Sequence, residues 1–132
     1  MKRIVLDASA VMTFFENRSG ADKVEELITL AVAGKRELFM SVVNWGEVYY
    51  SVWRAHGQQA AAKVATEIGQ LPIEVVNADL ELTKVAASFR AEHKLPYADC
   101  FAVGLAQLKK AEVLTSDRDF LAVGHRVNIE MI

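Results

Sequence analysis

What most restricts the fold of this chain is a repeated alternation of short apolar runs with longer segments of helical periodicity. Five short runs stand out: R-I-V-L at 3–6, E-L-F-M-S-V at 37–42, I-E-V-V at 73–76, A-E-V-L-T at 111–115 and V-N-I-E-M-I at 127–132. Each is too short for a stable helix and rich in β-branched or apolar residues, which reads as a buried strand. Between them the pattern changes. Helices are expected over 8–16 and from residue 21, where Val24, Leu27, Ile28, Ala31 and Val32 recur at three- and four-residue spacing before Gly34 ends the segment. Further helices are expected from Asn44 to His56, over 58–70 up to Leu71-Pro72, over 79–93, and over 97–110 after a turn at Leu95-Pro96. Parallel neighbours need long crossovers, so this order predicts an α/β fold: a central, mainly parallel sheet of about five strands with helices on both faces.

The chain has 132 residues, 52% of them hydrophobic, which suits one domain over 1–132, large enough to bury a core without disulfides or a structural metal. Its single cysteine, Cys100, has no internal partner and agrees with a reducing compartment. Asp7 interrupts the amino-terminal apolar stretch that a secretion signal would need, and no run approaches a membrane span. A cytoplasmic protein is expected. The formal charge of −2, from 15 basic against 17 acidic residues, at first argues against a nucleic-acid partner. If four acids line one cation-filled pocket, however, 13 remain elsewhere and the rest of the surface is mildly basic.

The acids are placed unevenly. Asp7 ends the first run and Asp117 follows the fourth; Glu47 lies in the opening turn of the helix after the second run, and Asp99 opens the helix before the fourth. In a parallel α/β sheet the functional crevice lies beyond the carboxyl ends of the strands, so four acids from four separated segments are directed to one place. Each has a plainer reading. Asn44 and Glu47 have the spacing of a capping box, Ser116 or Asp117 suits a helix start, and Asp7 or Asp99 suits a helix dipole. Caps, however, place no demand on where helices begin, whereas these beginnings cluster. Two like charges about 4 Å apart repel by roughly 4 kcal/mol at an effective dielectric of about 20, so four carboxylates together call for protons or cations. Oxygen-only ligands favour hard ions such as Mg²⁺ or Mn²⁺, which activate water for phosphodiester hydrolysis.

V-L-D-A-S at 5–9, N-W-G-E at 44–47, Y-A-D-C-F-A-V at 97–103 and L-T-S-D-R-D-F at 114–120 follow one another as in PIN-domain ribonucleases. Over nearly its whole length the chain resembles the VapC-type toxins of toxin–antitoxin pairs. The resemblance implies a three-layer PIN-like fold with strand order 3-2-1-4-5 and an endoribonuclease that uses Mg²⁺ or Mn²⁺ and is restrained by a cognate antitoxin. It implies that Asp7, Glu47, Asp99 and Asp117 form the catalytic and metal-binding quartet, with Asp119 a further metal-side acid. Ser9 and Thr115 match hydroxyl positions beside the metal, and Asn44 a polar position near the glutamate. It further implies an RNA substrate, a likeness to dimeric relatives, and an antitoxin segment that enters the acidic groove with a basic side chain. Ser116 departs from the Arg or Gly of many relatives.

Other residues invite readings of their own. Arg54, two turns after Glu47, joins Arg18, Lys94 and Arg118 as candidate phosphate contacts. Trp45, Tyr49, Val52, Trp53 and His56 follow helical spacing, as either a core stripe or a dimer or antitoxin surface. Cys100 reads as a buried structural thiol, and the three histidines show no zinc spacing. A receiver-like signalling module would need a phosphoacceptor after the third strand, for which Asp79 is the one candidate. A dehalogenase-like phosphatase would need an Asp where Ser9 stands. A PIN-like domain that binds without cutting is the remaining alternative.

Overall fold

The computed structural model describes residues 1–132. Its strands are β1 (Lys2–Leu6), β2 (Arg36–Ser41), β3 (Ile73–Val76), β4 (Glu112–Thr115) and β5 (Ile129–Met131). They form one sheet of order β3-β2-β1-β4-β5, and every pairing is parallel. The chain builds outward from β1 to β3, then crosses back to place β4 on the other side of β1. The reversal of direction therefore falls between β1 and β4, both of which are buried at their carboxyl ends.

Side-chain alternation along the strands divides the core in two. Ile4 and Leu6 of β1, Leu38 and Met40 of β2 and Leu114 of β4 face one layer. That layer is covered by α1 (Ala8–Phe15), α2 (Ala21–Val32), α3 (Val42–His56) and α4 (Gln58–Gln70). Val5, Phe39 and Val113 face the other, which is filled by α5 (Leu80–Glu92), α6 (Tyr97–Lys109) and a 3₁₀ segment (Arg118–Val123). Helix α6 is almost wholly apolar because it is buried from Cys100 to Ala106. Phe89, Phe120 and Leu105 lie within this second layer, and each contributes on the order of 1.5–3 kcal/mol by leaving water. After α2 the chain passes through Gly34 at φ +75, a left-handed backbone that suits glycine at a helix end.

Two expectations change. β2 ends at Ser41, not residue 42, and the following helix begins at Val42 rather than Asn44. The reason is local: the Ser41 hydroxyl caps α3 by accepting the Val43 N–H at 3.1 Å. Asn44 is thereby moved into the first turn, fully buried, and Glu47 into the second. The aromatic stripe of α3 also divides. Val52 is buried and Trp45 and Tyr49 pack on the core with their rings stacked 5.2 Å apart, whereas Trp53 is 44% exposed.

Candidate active site

Asp7 is the link between β1 and α1. It is 3% exposed, caps α1 by accepting the Ala10 N–H at 2.9 Å, and its own N–H reaches the Leu114 carbonyl on β4. Two hydroxyls hold its carboxylate. Thr115, the last residue of β4, donates to Oδ2 at 2.6 Å, and Ser9 donates to Oδ1 at 2.8 Å. The same hydroxyls reach onward: Thr115 Oγ1 accepts the Asp117 N–H at 2.9 Å and Ser9 Oγ accepts the Ser116 N–H at 3.0 Å. The Asp7 side chain and the start of the segment bearing Asp117 are thus fixed by one set of bonds. Burial pushes the Asp7 carboxyl up to about 6 despite the bonds from Thr115, Ala10 and Ser9, and the charge of Asp117 adds to the rise.

Asp117 is half-buried and caps the 3₁₀ segment by accepting the Asp119 N–H at 2.9 Å, while Asp119 itself is exposed. The capping reading of Asp117 holds, and its charge also acts on Asp7. Asp99, in the first turn of α6, completes the group from the other face of the sheet. Burial raises its carboxyl to about 7, followed by the charges of Glu47, Asp117, Asp7 and Asp119. Four acids thus act on Asp99, and Asp117 acts on Asp7 as well.

Two readings of Asn44 were open, half of a capping box with Glu47 or a polar residue beside the glutamate, and the cap is not formed. Instead Asn44 Nδ2 donates to Glu47 Oε1 at 2.9 Å and to the Ala98 carbonyl at 3.1 Å, tying the glutamate on α3 to the residue before Asp99. Its Oδ1 is buried without a partner. A contact across 54 residues leaves no local signal, so spacing alone could not find it.

The expected phosphate-contacting cations form no ion pair with these acids. Arg18 pairs with Glu16 at 2.8 Å, and Arg54, Lys94 and Arg118 are exposed with no ion pair to the acids. Arg54 sits in the last turn of α3, a rise of about 10 Å beyond Glu47. Cys100 is fully buried and its thiol is pushed up to about 11, chiefly by burial, in keeping with a structural role. The rings of His93 and His125, remote in sequence, pack edge to face at 5.5 Å.

An all-carboxylate set with hydroxyl and amide support has the chemistry of a site for Mg²⁺ or Mn²⁺ rather than zinc. No three His, Cys, Asp or Glu side chains stand in metal-holding geometry, so the chain brings the acids to one edge without closing them into a cage. None of the five acids lines one of the surface grooves. No helix is long and apolar enough to cross a membrane.

A family model described as the PIN domain matches residues 4–126. No curated protein matches the chain. Among solved structures, VapBC2 of Rickettsia felis, bound to a promoter DNA fragment, superposes with a TM-score of 0.77 at 14% identity, covering 98% of both chains. A toxin–antitoxin complex from Klebsiella pneumoniae gives 0.70 at 20% identity, covering 97% of this chain and 96% of that one. VapC20 of Mycobacterium tuberculosis, a toxin that cleaves the sarcin–ricin loop, gives 0.72 at 19%, covering 92% and 95%. At these identities the likeness is one of fold.

Proposed function

The chain belongs to the PIN-domain family, and from that membership and its acidic edge we propose that it is a Mg²⁺- or Mn²⁺-dependent endoribonuclease, the toxin of a type II toxin–antitoxin pair. The observation that carries the reading is the bonding at the reversal between β1 and β4, where the hydroxyls of Ser9 and Thr115 tie the Asp7 carboxylate to the turn that bears Asp117; burial and then four neighbouring acids raise the Asp99 carboxyl beside it. Like charges brought together at a sheet's functional edge are costly unless cations join them.

Asp7, Glu47, Asp99 and Asp117 would hold the metal, with Asp119 at the rim. Bound there, it supplies an activated water and stabilises charge on the phosphodiester during in-line displacement. The chain's own residues do the positioning. Ser9 and Thr115 orient the Asp7 carboxylate and fix the turn that carries Asp117. Asn44 holds Glu47 in register with the start of α6.

Two of the structural neighbours described above are toxin–antitoxin complexes, which supports a cognate antitoxin as partner. A basic side chain from that partner would meet the same unneutralised acids, and a homodimer is part of the proposal. The receiver-like alternative has no such support: Asp79 follows the edge strand β3, and its side chain caps α5 by accepting the Leu82 N–H.

The test is RNA cleavage by the purified chain. We expect cutting with Mg²⁺ or Mn²⁺, none in a chelator, and a fall to background for Asp7→Asn with its melting transition retained. Expression should arrest growth for the native chain and not for the variant, with new RNA ends mapped only in the first. Undiminished cutting by Asp7→Asn would refute the assignment. A folded native chain that binds metal and RNA yet cuts neither structured nor unstructured RNA would favour binding without catalysis.

A further inference from the structure

The basic residues are concentrated at the edge opposite the acids. Three doublets, Lys2-Arg3, Lys35-Arg36 and Lys109-Lys110, stand at the starts of β1, β2 and β4, and these three strands are neighbours in the sheet. The register sets Lys2 opposite Arg36 and Ile4 opposite Glu112, so Lys110 lies about level with Lys2. Neighbouring strands are about 4.8 Å apart, which brings the three doublets within roughly 10 Å along the edge.

Two grooves run through this surface. One, of about 470 Å³, is lined by Lys2, Arg3, Lys110 and Arg126, with Glu112 as its one carboxylate. The other, of about 600 Å³, shares Arg3 and continues past Arg36 and Lys109, with Glu37 and Glu74. Six cations thus face three carboxylates on a chain whose formal charge is −2; Lys2, Arg3 and Arg126 are in exposed ion pairs, and Arg36, Lys109 and Lys110 are in none. The Nε of Arg36 is buried without an acceptor. The one aromatic ring in the grooves, Phe39, is covered by the Lys109 ammonium at 5.1 Å, so no ring is free for a base to stack on. Such a surface is suited to phosphates rather than to base identity.

We propose that this amino-edge surface binds the sugar-phosphate backbone of single-stranded RNA, holding the substrate to a domain whose reacting edge repels it. The choice of RNA over another polyanion rests on the ribonuclease reading. The two edges are separated by the length of a strand, roughly 16 Å for five residues, which a few nucleotides of the same molecule span. Recognition is sequence-independent and weakens steeply with salt.

The test is fluorescence anisotropy of a labelled single-stranded RNA in chelator, with the probe checked intact by gel, over a series of salt concentrations. Three forms of the full chain are compared: native, the edge variant Lys2→Gln/Lys109→Gln/Lys110→Asn, and a control with equal charge loss elsewhere, Lys63→Gln/Lys84→Gln/Arg90→Gln. Thermal melting of each establishes that it is folded, and Lys110→Asn alone serves if the triple variant is not. We expect the edge variant to bind about tenfold or more weakly and its log–log salt slope to shrink by about 2, from three lost charges at about 0.7 each, with the control near native. Absence of RNA binding by the native chain, equal loss in both variants, or no loss in the edge variant overturns the proposal. So does equally tight binding of an acidic polypeptide at the same salt. Cleavage is scored separately with Mn²⁺: a chain that binds through this edge but never cuts contradicts the ribonuclease reading and leaves the surface intact, whereas cutting without edge-dependent binding does the reverse.

Discussion

The two edges of the sheet are made from the same five strands and treat charge in opposite ways. At the amino edge three of the six groove cations have individual carboxylate partners on the surface: Arg3 with Glu37 at 2.7 Å, Lys2 with Glu112 at 3.3 Å and Arg126 with Glu92 at 3.4 Å. At the carboxyl edge four acids act on Asp99, and what holds Asp7, Glu47 and Asp117 is neutral: the hydroxyls of Ser9 and Thr115, the amide of Asn44 and backbone N–H groups. Exposed pairs of opposite charge contribute little and tolerate change. A group of like charges fixed by neutral donors is costly to keep, and a reacting site gives a reason to keep it.

The sharpest way to break this comparison is pH. The folded-state carboxyl of Asp7 is raised from 3.8 to about 6, so the native chain holds that proton more tightly than the unfolded chain. Its contribution is fully present below about 4 and is lost as pH rises through about 6, a change of about 3 kcal/mol. Urea unfolding of the metal-free chain at pH 4.5 and 7.5 should show this decline together with the one from Asp99, whose carboxyl is raised to about 7, and Asp7→Asn should make it shallower without abolishing it. Equal slopes in the two forms would mean that burial does not strain this acid. Mn²⁺ should recover stability at the higher pH.

Replacing Asn44 with Leu should cost about 2–3 kcal/mol in the same measurement, because it leaves the Ala98 carbonyl and Glu47 without their shared donor in a buried place. Thr115→Val should cost about 1–3 kcal/mol for the same reason and push the Asp7 carboxyl further up, which a carboxyl-resolved NMR titration would read. At the opposite edge Arg3→Gln should shift stability by less than about 1 kcal/mol, since its pair with Glu37 is exposed. A larger loss from Arg3→Gln than from Asn44→Leu would invert the comparison.

Much of this architecture can be read in the chain itself. The apolar runs announce five strands within one or two residues, because central parallel strands must be apolar on both faces. The rule for the carboxyl edge then places Asp7 and Asp117 at once. Strand order was not in the periodicity; it came with the motifs of the resembled family, and Asp99 was placed less directly than Asp7 or Asp117, because its helix follows another helix. Spacing alone misleads at Asn44. Its spacing to Glu47 fits a cap, but Ser41 already caps the helix, and the partner that matters is 54 residues away. The basic edge was overlooked because a doublet of lysine or arginine before a strand is ordinary. Only the pairing of β1 with β2 and β4 makes three doublets one surface.

The central claim is that the acids of the carboxyl edge act together on a divalent ion. Calorimetric titration of Mn²⁺ into the native chain at pH 7, in buffers of different ionisation enthalpy, tests it most directly. We expect binding accompanied by proton release, since Asp99 is held near 7, and at least tenfold weaker binding in Asp7→Asn and Asp99→Asn. A native chain that binds no Mn²⁺, or variants that bind it as well as the native chain does, would contradict the account.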